Sequence, residues 1–176
     1  ATHSFDEVRR QADSIWTKSL SKIIIEDQDI TRKRIFYTAL YHSFLAPNMA
    51  SDVDGRYRGT DRQVHRNETD QQYTIFSLWD TFRGTHPLFT ILQRKRTASF
   101  IRTFLRQYQE GGQLPVWELA SNYTGCMIGY HSVSVIQDAF CKGIQPFDHN
   151  LALKAMIHSA EMEHLGLSTY KKRGFM

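Results

Sequence analysis

Cysteine is scarce: the chain of 176 residues holds only Cys126 and Cys141. That excludes a disulfide-rich scaffold and a cysteine zinc cluster, leaving either one bridge or two separate thiols. Long apolar runs are missing too, so no segment is suited to cross a bilayer. The opening "ATHSFDEVRRQADSIW" reads as a polar amphipathic pattern rather than a signal peptide. The first residue is Ala rather than Met, which fits a processed chain or a fragment. There is no HExxH or HxxxH, no glycine-rich phosphate loop, no GxSxG elbow and no low-complexity tract. Charge of one sign is also limited. The formal net charge is +4, and much of the excess sits in Arg94-Lys95-Arg96 and Lys171-Lys172-Arg173. Groups this short argue weakly for a nucleic-acid footprint, and no aromatic-basic interleaving accompanies them.

What is present is a globular composition, 41% hydrophobic and 23% charged, with a high aromatic share of 12%. Such rings suit a buried core and equally a carbohydrate cleft, where flat faces stack on sugars. Ser4 and Glu7 form a capping-box pattern ahead of Phe5, Val8, Ala12, Ile15, Trp16 and Leu20, which predicts a helix. "KIIIE" predicts a short strand. Asp29 or Thr31 starts a second helix through "RKRIFYTALYHSFL", with Ile35, Phe36, Ala39, Leu40 and Phe44 as its buried stripe and Pro47 as its end.

A long loop is expected from Asn48 to about Gln72, then helices over Pro87–Leu92 and Thr97–Glu110, the latter stopped by Gly111-Gly112. "QLPVWELASNYTGCMIGYH" reads as a second irregular loop. "SVSVIQDAFCKG" reads as helix ended by Gly143, and Asp148 caps "NLALKAMIHSAEM". The tail "GLSTYKKRGFM" shows no clear element. With almost no strand signal, the expected class is all-α: paired helices with function on the loops, as in solenoids and α/α toroids.

Three stretches can carry chemistry. "APNMASDVDGRYRGTD" places Asp52, Asp54 and Asp61 among Arg56 and Arg58. Its Asp-x-Asp-Gly resembles the start of a calcium loop, but the later ligands and closing Glu are missing, and two cations oppose a metal. An ion-paired turn, Asp54 with Arg56 or Arg58, accounts better for these residue types. "SLWDTFR" sets Asp80 between Trp79 and Phe82 with Arg83 three positions on. Asp80 is either paired with Arg83, a helix cap, or a sugar-binding carboxylate beside an indole. "LPVWELASNYTGCMIGYH" carries Trp117, Glu118, Asn122, Tyr130 and His131. Glu118 is either a general acid with a raised pKa beside an aromatic platform or a structural acid tied to backbone amides. His131 reads as a hydrogen-bonded histidine. The sequons at Asn67 and Asn122 matter only along a eukaryotic secretory route.

Taken in order, "RIFYTALYHSFLAPNMASDVDGRYRG", "YTIFSLWDTFRGTHPL" and "EGGQLPVWELASNYTGCMIGYHSVSVIQDAFCKGI" resemble blocks of the glycoside hydrolase family 92 α-mannosidases over nearly the whole chain. The resemblance implies a single partial domain over residues 1–176. It would be the early portion of a catalytic (α/α)6 toroid, with the family's N-terminal β-sandwich and the remainder of the same polypeptide as its partners. It implies a calcium-dependent, exo-acting, inverting enzyme that trims terminal mannose from N-glycans or mannans in a periplasmic, cell-surface or secreted setting. Inversion needs two carboxyls roughly 6.5–9.5 Å apart. The blocks expected to hold the general acid, the general base and the Ca2+ ligands, resembling "EGNAWQY", "GNEPSHH" and "GDDDCGQMS", do not occur in this sequence. No catalytic residue or metal ligand is therefore assigned here, and the fragment alone is expected to be inactive. A partial toroid is also expected to leave apolar helix faces exposed. The residues the resemblance supports for substrate binding are Asp80, with Trp79 and Arg83 shaping it, and Glu118 with Trp117. The family's usual "WELAGNET" departs here to "WELASNYT", with Ser121 for Gly and Tyr123 for Glu. A non-catalytic helical carbohydrate-binding or scaffold module is the alternative, without nucleic acid or a membrane span.

Overall fold

The computed structural model describes residues 4–164 and 166–175. The chain divides into two compact units, residues 1–46 and 47–176. In the first, α1 (Phe5–Leu20) opens on the expected capping box: Glu7 N–H donates to Ser4 Oγ at 3.3 Å, and Ser4 N–H donates to Glu7 Oε2 at 2.9 Å. Asp29 caps α2 (Ile30–Leu45) by accepting from the Thr31 and Arg32 amides. Trp16 packs edge-on against Tyr41 at 4.5 Å. The amphipathic pattern overstates burial here. No residue of α1 is buried, and of the stripe expected on α2 only Leu40 and Phe44 are, while Ile35 is exposed. "KIIIE" is not a strand. It runs without a ladder, and the Tyr37 hydroxyl donates to Ile23 O at 3.1 Å and accepts from Ile25 N–H at 3.4 Å.

The second unit is helical at its centre but not all-α, which corrects the expected class. The segment expected to be a loop forms strands β1 (Asn48–Met49), β2 (Arg56–Arg58) and β3 (Val64–Arg66). These are followed by β4 (Tyr73–Thr74), β5 (Phe76–Ser77) and a single helical turn, α3 (Leu78–Thr81). Helices α4 (Thr85–Leu92) and α5 (Arg94–Gly111) lead to the hairpin β6 (Trp117–Leu119) and β7 (Asn122–Tyr123). Then come α6 (Ser132–Cys141), α7 (His149–Glu161) and, where no element was expected, α8 (Leu167–Arg173). The strands make three small antiparallel sheets, β1-β4, β2-β3 and β5-β6-β7. Runs of two or three residues are too short to write an alternation into the sequence, so they escape a pattern reading.

Helix α5 is the spine. Its inner face sets Phe100, Ile101 and Phe104 against Phe76, Leu78 and Phe89, all essentially inaccessible. Rings meet edge-on, with Phe76–Phe104 at 4.8 Å and Tyr73–Phe100 at 4.7 Å, the arrangement that ring quadrupoles favour. The polar face of α5 ties down the segment before β4. Arg102 grips Asp70 through Nε at 2.7 Å and Nη2 at 2.8 Å, and Arg106 donates to Gln72 Oε1 at 2.7 Å and Gln71 O at 2.7 Å. Burial pushes the Asp70 carboxyl up, but the bonds and charges of Arg102, Ser99 and Arg106 outweigh it and hold its pKa below the usual value. The helix stops as expected at Gly112, in left-handed conformation at φ 81°, whose N–H returns to Tyr108 O. Arg94 bonds the carbonyls of Lys142 and Gly143 just past α6, and Asp148 caps α7 through Leu151 N–H. Cys126 and Cys141 are separate, exposed thiols. Several apolar side chains stay in water, among them Met127, Ile128, Tyr130 and Leu153. Among the described residues no helix is long and apolar enough to cross a membrane.

Candidate functional site

The β5–β6 ladder joins the two stretches singled out in the sequence. Phe76 pairs with Glu118 and Ser77 with Trp117. Since side chains alternate along a strand, Glu118 and Trp117 point to opposite faces. Immediately after Ser77 the chain winds into α3, which carries Trp79 and Asp80. Thr81 Oγ1 secures that turn by donating to Ser77 O at 3.0 Å. Asp80 accepts a hydrogen bond from Ser77 Oγ. Ser77 thus ties Asp80 to the ladder position opposite Trp117, and along this rim Trp79 and Asp80 are exposed and Trp117 is half-buried.

Asp80, set between Trp79 and Phe82 in the sequence, is exposed, so the rings adjacent in sequence do not enclose it. Nor is it paired with Arg83, whose guanidinium sits over the Phe82 ring at 5.3 Å. Phe82 also packs on His131 at 4.3 Å, which brings the start of α6 to the end of α3. His131 Nδ1 is buried without a partner, and a Cβ at Gly129 would lie 2.5 Å from the His131 ring.

Glu118 differs from the rim residues: it is only 2% exposed. Its carboxylate accepts from Thr74 Oγ1 at 2.9 and 3.1 Å, from Ile75 N–H at 3.1 Å and from Ser121 N–H at 2.6 Å. Burial pushes its pKa up, opposed by these bonds and by the Gln107 side chain. A cavity of about 80 Å³, lined in part by Thr60, Gln107, Pro115 and Tyr123, reaches the same carboxylate. Two of its donors are strained. Ile75 has φ 65° and Ser121 φ 62°, the left-handed region that L-residues, β-branched ones above all, avoid. Ala120 and Ser121 both have positive φ at the β6–β7 turn, as a type I′ hairpin requires. The departure from the family's Gly thus falls at a position where glycine carries no strain. Ser121 Oγ adds a bond to Arg58 O at 2.5 Å. Ser77 and Thr74 were not singled out in the sequence, and Ser121 only as a departure from the family pattern. Their roles come from cross-strand register and backbone conformation, which residue type does not encode.

The opening loop is a braced hairpin. Asp54 pairs with Arg56 at 2.6 Å, and Arg66 Nε donates to Asp54 O at 3.0 Å. Backbone and side-chain contacts from Arg56 hold the Asp54 pKa below the usual value. Gly55 needs its φ of 82° and its missing side chain, because a Cβ there would lie 2.3 Å from Asn67 O. Asp61, His65 and Glu110 converge, with potential ligand atoms within 4.8 Å of one another. Their acceptors are engaged already: Asp61 by Gln63 N–H and His65 Nε2, Glu110 by the Tyr57 hydroxyl at 2.7 Å and Thr60 N–H at 3.2 Å. Calcium takes six to eight oxygens. Among the described residues neither this set of two carboxylates and an imidazole, nor the arginine-braced Asp54 loop, fits that ion.

The model of the glycosyl hydrolase family 92 catalytic domain matches residues 1–176. Among solved structures, the chain is similar to the family GH92 α-mannosidase BT3965 from Bacteroides thetaiotaomicron, solved in complex with mannoimidazole. The two share 37% identity at a TM-score of 0.89, over 96% of this chain and 22% of that one. It is also similar to the family GH92 inverting mannosidase BT2199 from Bacteroides thetaiotaomicron VPI-5482, with 33% identity and a TM-score of 0.90, over 99% of this chain and 25% of that one. A search of curated proteins returns no match. The chain thus spans about a quarter of the length of these solved relatives or less. It belongs to the glycosyl hydrolase family 92 catalytic domain.

Proposed function

We propose that this chain is part of the toroidal catalytic domain of an exo-acting, inverting, calcium-dependent α-mannosidase. The parent enzyme removes terminal mannose from N-glycans or mannans in a periplasmic, cell-surface or secreted setting. The observation that carries this reading is the β5–β6 pairing, which sets Ser77, the donor to Asp80, opposite Trp117, in a chain 37% identical to a mannosidase solved with mannoimidazole. An exposed carboxylate with aromatic side chains on the same stretch suits a sugar: the acid accepts from adjacent hydroxyls while a ring face covers the C–H surface. Arg83, stacked on Phe82, borders the same turn, and Glu118 supports the rim from beneath.

Inverting hydrolysis uses one carboxyl to protonate the departing oxygen and another to activate water on the opposite ring face. We assign both to other segments of the same polypeptide. Calcium, when bound, would help hold and distort the terminal mannose, with its ligands on those segments as well. This chain supplies binding and orientation of the sugar.

The test is hydrolysis of a panel of α-linked mannobiosides by the protein from the complete gene, with and without a calcium chelator. Release of β-mannose, abolished by the chelator and restored by Ca2+, is the expected outcome. Hydrolysis confined to other sugars, or retention of the α-configuration, would overturn the reading.

A further inference from the structure

We propose that Glu118 is a positioning residue for the sugar-binding rim. Its buried carboxylate holds Ile75 and Ser121 in left-handed backbone and thereby fixes the register that sets Ser77, the donor to Asp80, opposite Trp117. The assignment of a sugar to that rim rests on the function proposed above; the structural role does not.

Four observations converge. Glu118 is almost fully enclosed, unlike the exposed Asp80. Beside the Gln107 side chain, its donors lie on the segments flanking the β5–β6–β7 sheet: Thr74 and Ile75 just before β5, and Ser121 in the β6–β7 turn. Two of these, Ile75 and Ser121, are non-glycine residues at positive φ. Finally, Thr74 Oγ1, while donating to Glu118, itself accepts from Ala120 N–H at 2.8 Å, so one hydroxyl links both sides of the sheet.

Strained backbone persists only where its surroundings over-determine it. An ionised carboxylate is suited to this because it accepts from several converging N–H groups at once, and charge-assisted bonds are the stronger kind. A glutamine in its place would offer one acceptor oxygen and an NH2 group aimed at other donors. Without the carboxylate, Ile75 would relax toward negative φ. That would turn β5 and carry Ser77 and Asp80 away from Trp117.

The experiment has two arms. On this chain, Glu118→Gln is expected to speed amide hydrogen exchange at Ile75 and Ser121 by about tenfold or more, while the α5 core amides Ile101 and Phe104 keep their protection. Adding Ser121→Gly, which removes the strain at that position, is expected to recover a large part of the lost melting temperature. Thr74→Val removes a single donor and should give a smaller effect of the same pattern, which keeps the test open if Glu118→Gln does not fold. Unchanged exchange at Ile75 and Ser121, or an equal penalty with and without Ser121→Gly, would overturn the proposal.

In the complete enzyme, Glu118→Gln is expected to raise KM for the mannoside several-fold while the pH profile of kcat keeps both limbs. Loss of one limb with exchange unaltered would make Glu118 a proton-transferring group and sink the positioning role. A complete enzyme inactive on every mannoside would overturn the proposed function instead, and the exchange results would still decide the role of Glu118.

Discussion

Ser77 and Trp117 face each other across the β5–β6 ladder, and the hydroxyl of Ser77 donates to Asp80. A carboxylate held by a neighbouring hydroxyl has lost part of its rotamer freedom before any ligand arrives, and that entropy is then not charged to binding. In the complete enzyme, Asp80→Asn is expected to lower kcat/KM for α-mannosides by about 100-fold or more, since a charge-assisted bond to a sugar hydroxyl is lost. Ser77→Ala should cost roughly tenfold or less, because it removes orientation only. Circular dichroism and melting temperature should be unchanged for Asp80→Asn. Near-normal turnover would take Asp80 out of the site.

Calcium is expected to act on the parent enzyme and not on this chain. Its clustered acids Asp54, Asp61, Asp70 and Glu110 are engaged by arginine, histidine and tyrosine donors. A chelator should therefore leave the melting temperature of this chain unmoved while abolishing hydrolysis by the complete enzyme. A calcium-dependent rise in the melting temperature of the chain would show a site that its donor set does not suggest.

His86 sets an acid limit on stability. It is 2% exposed among Phe89, Phe100 and Phe104, and burial lowers its pKa from 6.5 to about 4. The folded state keeps it neutral where the unfolded chain would protonate it. Its contribution is complete above pH 6.5 and declines as pH falls toward about 4, by an amount on the order of 3 kcal/mol. His86→Phe should flatten the pH dependence of the melting temperature across that window.

Asp70 is the second such group, with the same sign at lower pH. Its depressed pKa means that stability is present above the ordinary carboxyl value of 3.8 and is lost as pH falls through the folded value. At neutral pH, Arg102→Ala would leave an enclosed carboxylate with weaker partners and is expected to destabilise by about 3 kcal/mol. Urea denaturation measures it. Asp70→Asn combined with Arg102→Ala should cost less than the sum of the single changes.

The sequence was most legible where one residue decides a local conformation. Ser4, Asp29, Asp148 and Gly112 each terminate a helix as their side chains or lack of one predict. The three family blocks carried the family. What escaped depends on distant partners. The strands are two or three residues long, and β5 exists because it meets β6 across some forty intervening positions. The positive φ of Ile75 leaves no trace in an isoleucine. Helix α8 carries no apolar stripe and follows a glycine rather than a capping side chain. Asp80 sits beside aromatic residues in the sequence, but adjacency along a helical turn is not enclosure.

The extended "III" run held by the Tyr37 hydroxyl bears on how this chain behaves at high concentration. β-Branched runs without a ladder are ready partners for a second chain, and charged flanks oppose such pairing. Here Lys22 and Glu26 stand at the two ends, and Tyr37 occupies backbone groups of Ile23 and Ile25. Tyr37→Phe would leave those groups to other acceptors and donors. The variant is expected to form thioflavin-positive aggregates sooner than the parent chain on incubation at equal concentration. The phenol of one tyrosine thus guards the solubility of a segment far from Asp80 and Trp117 in sequence.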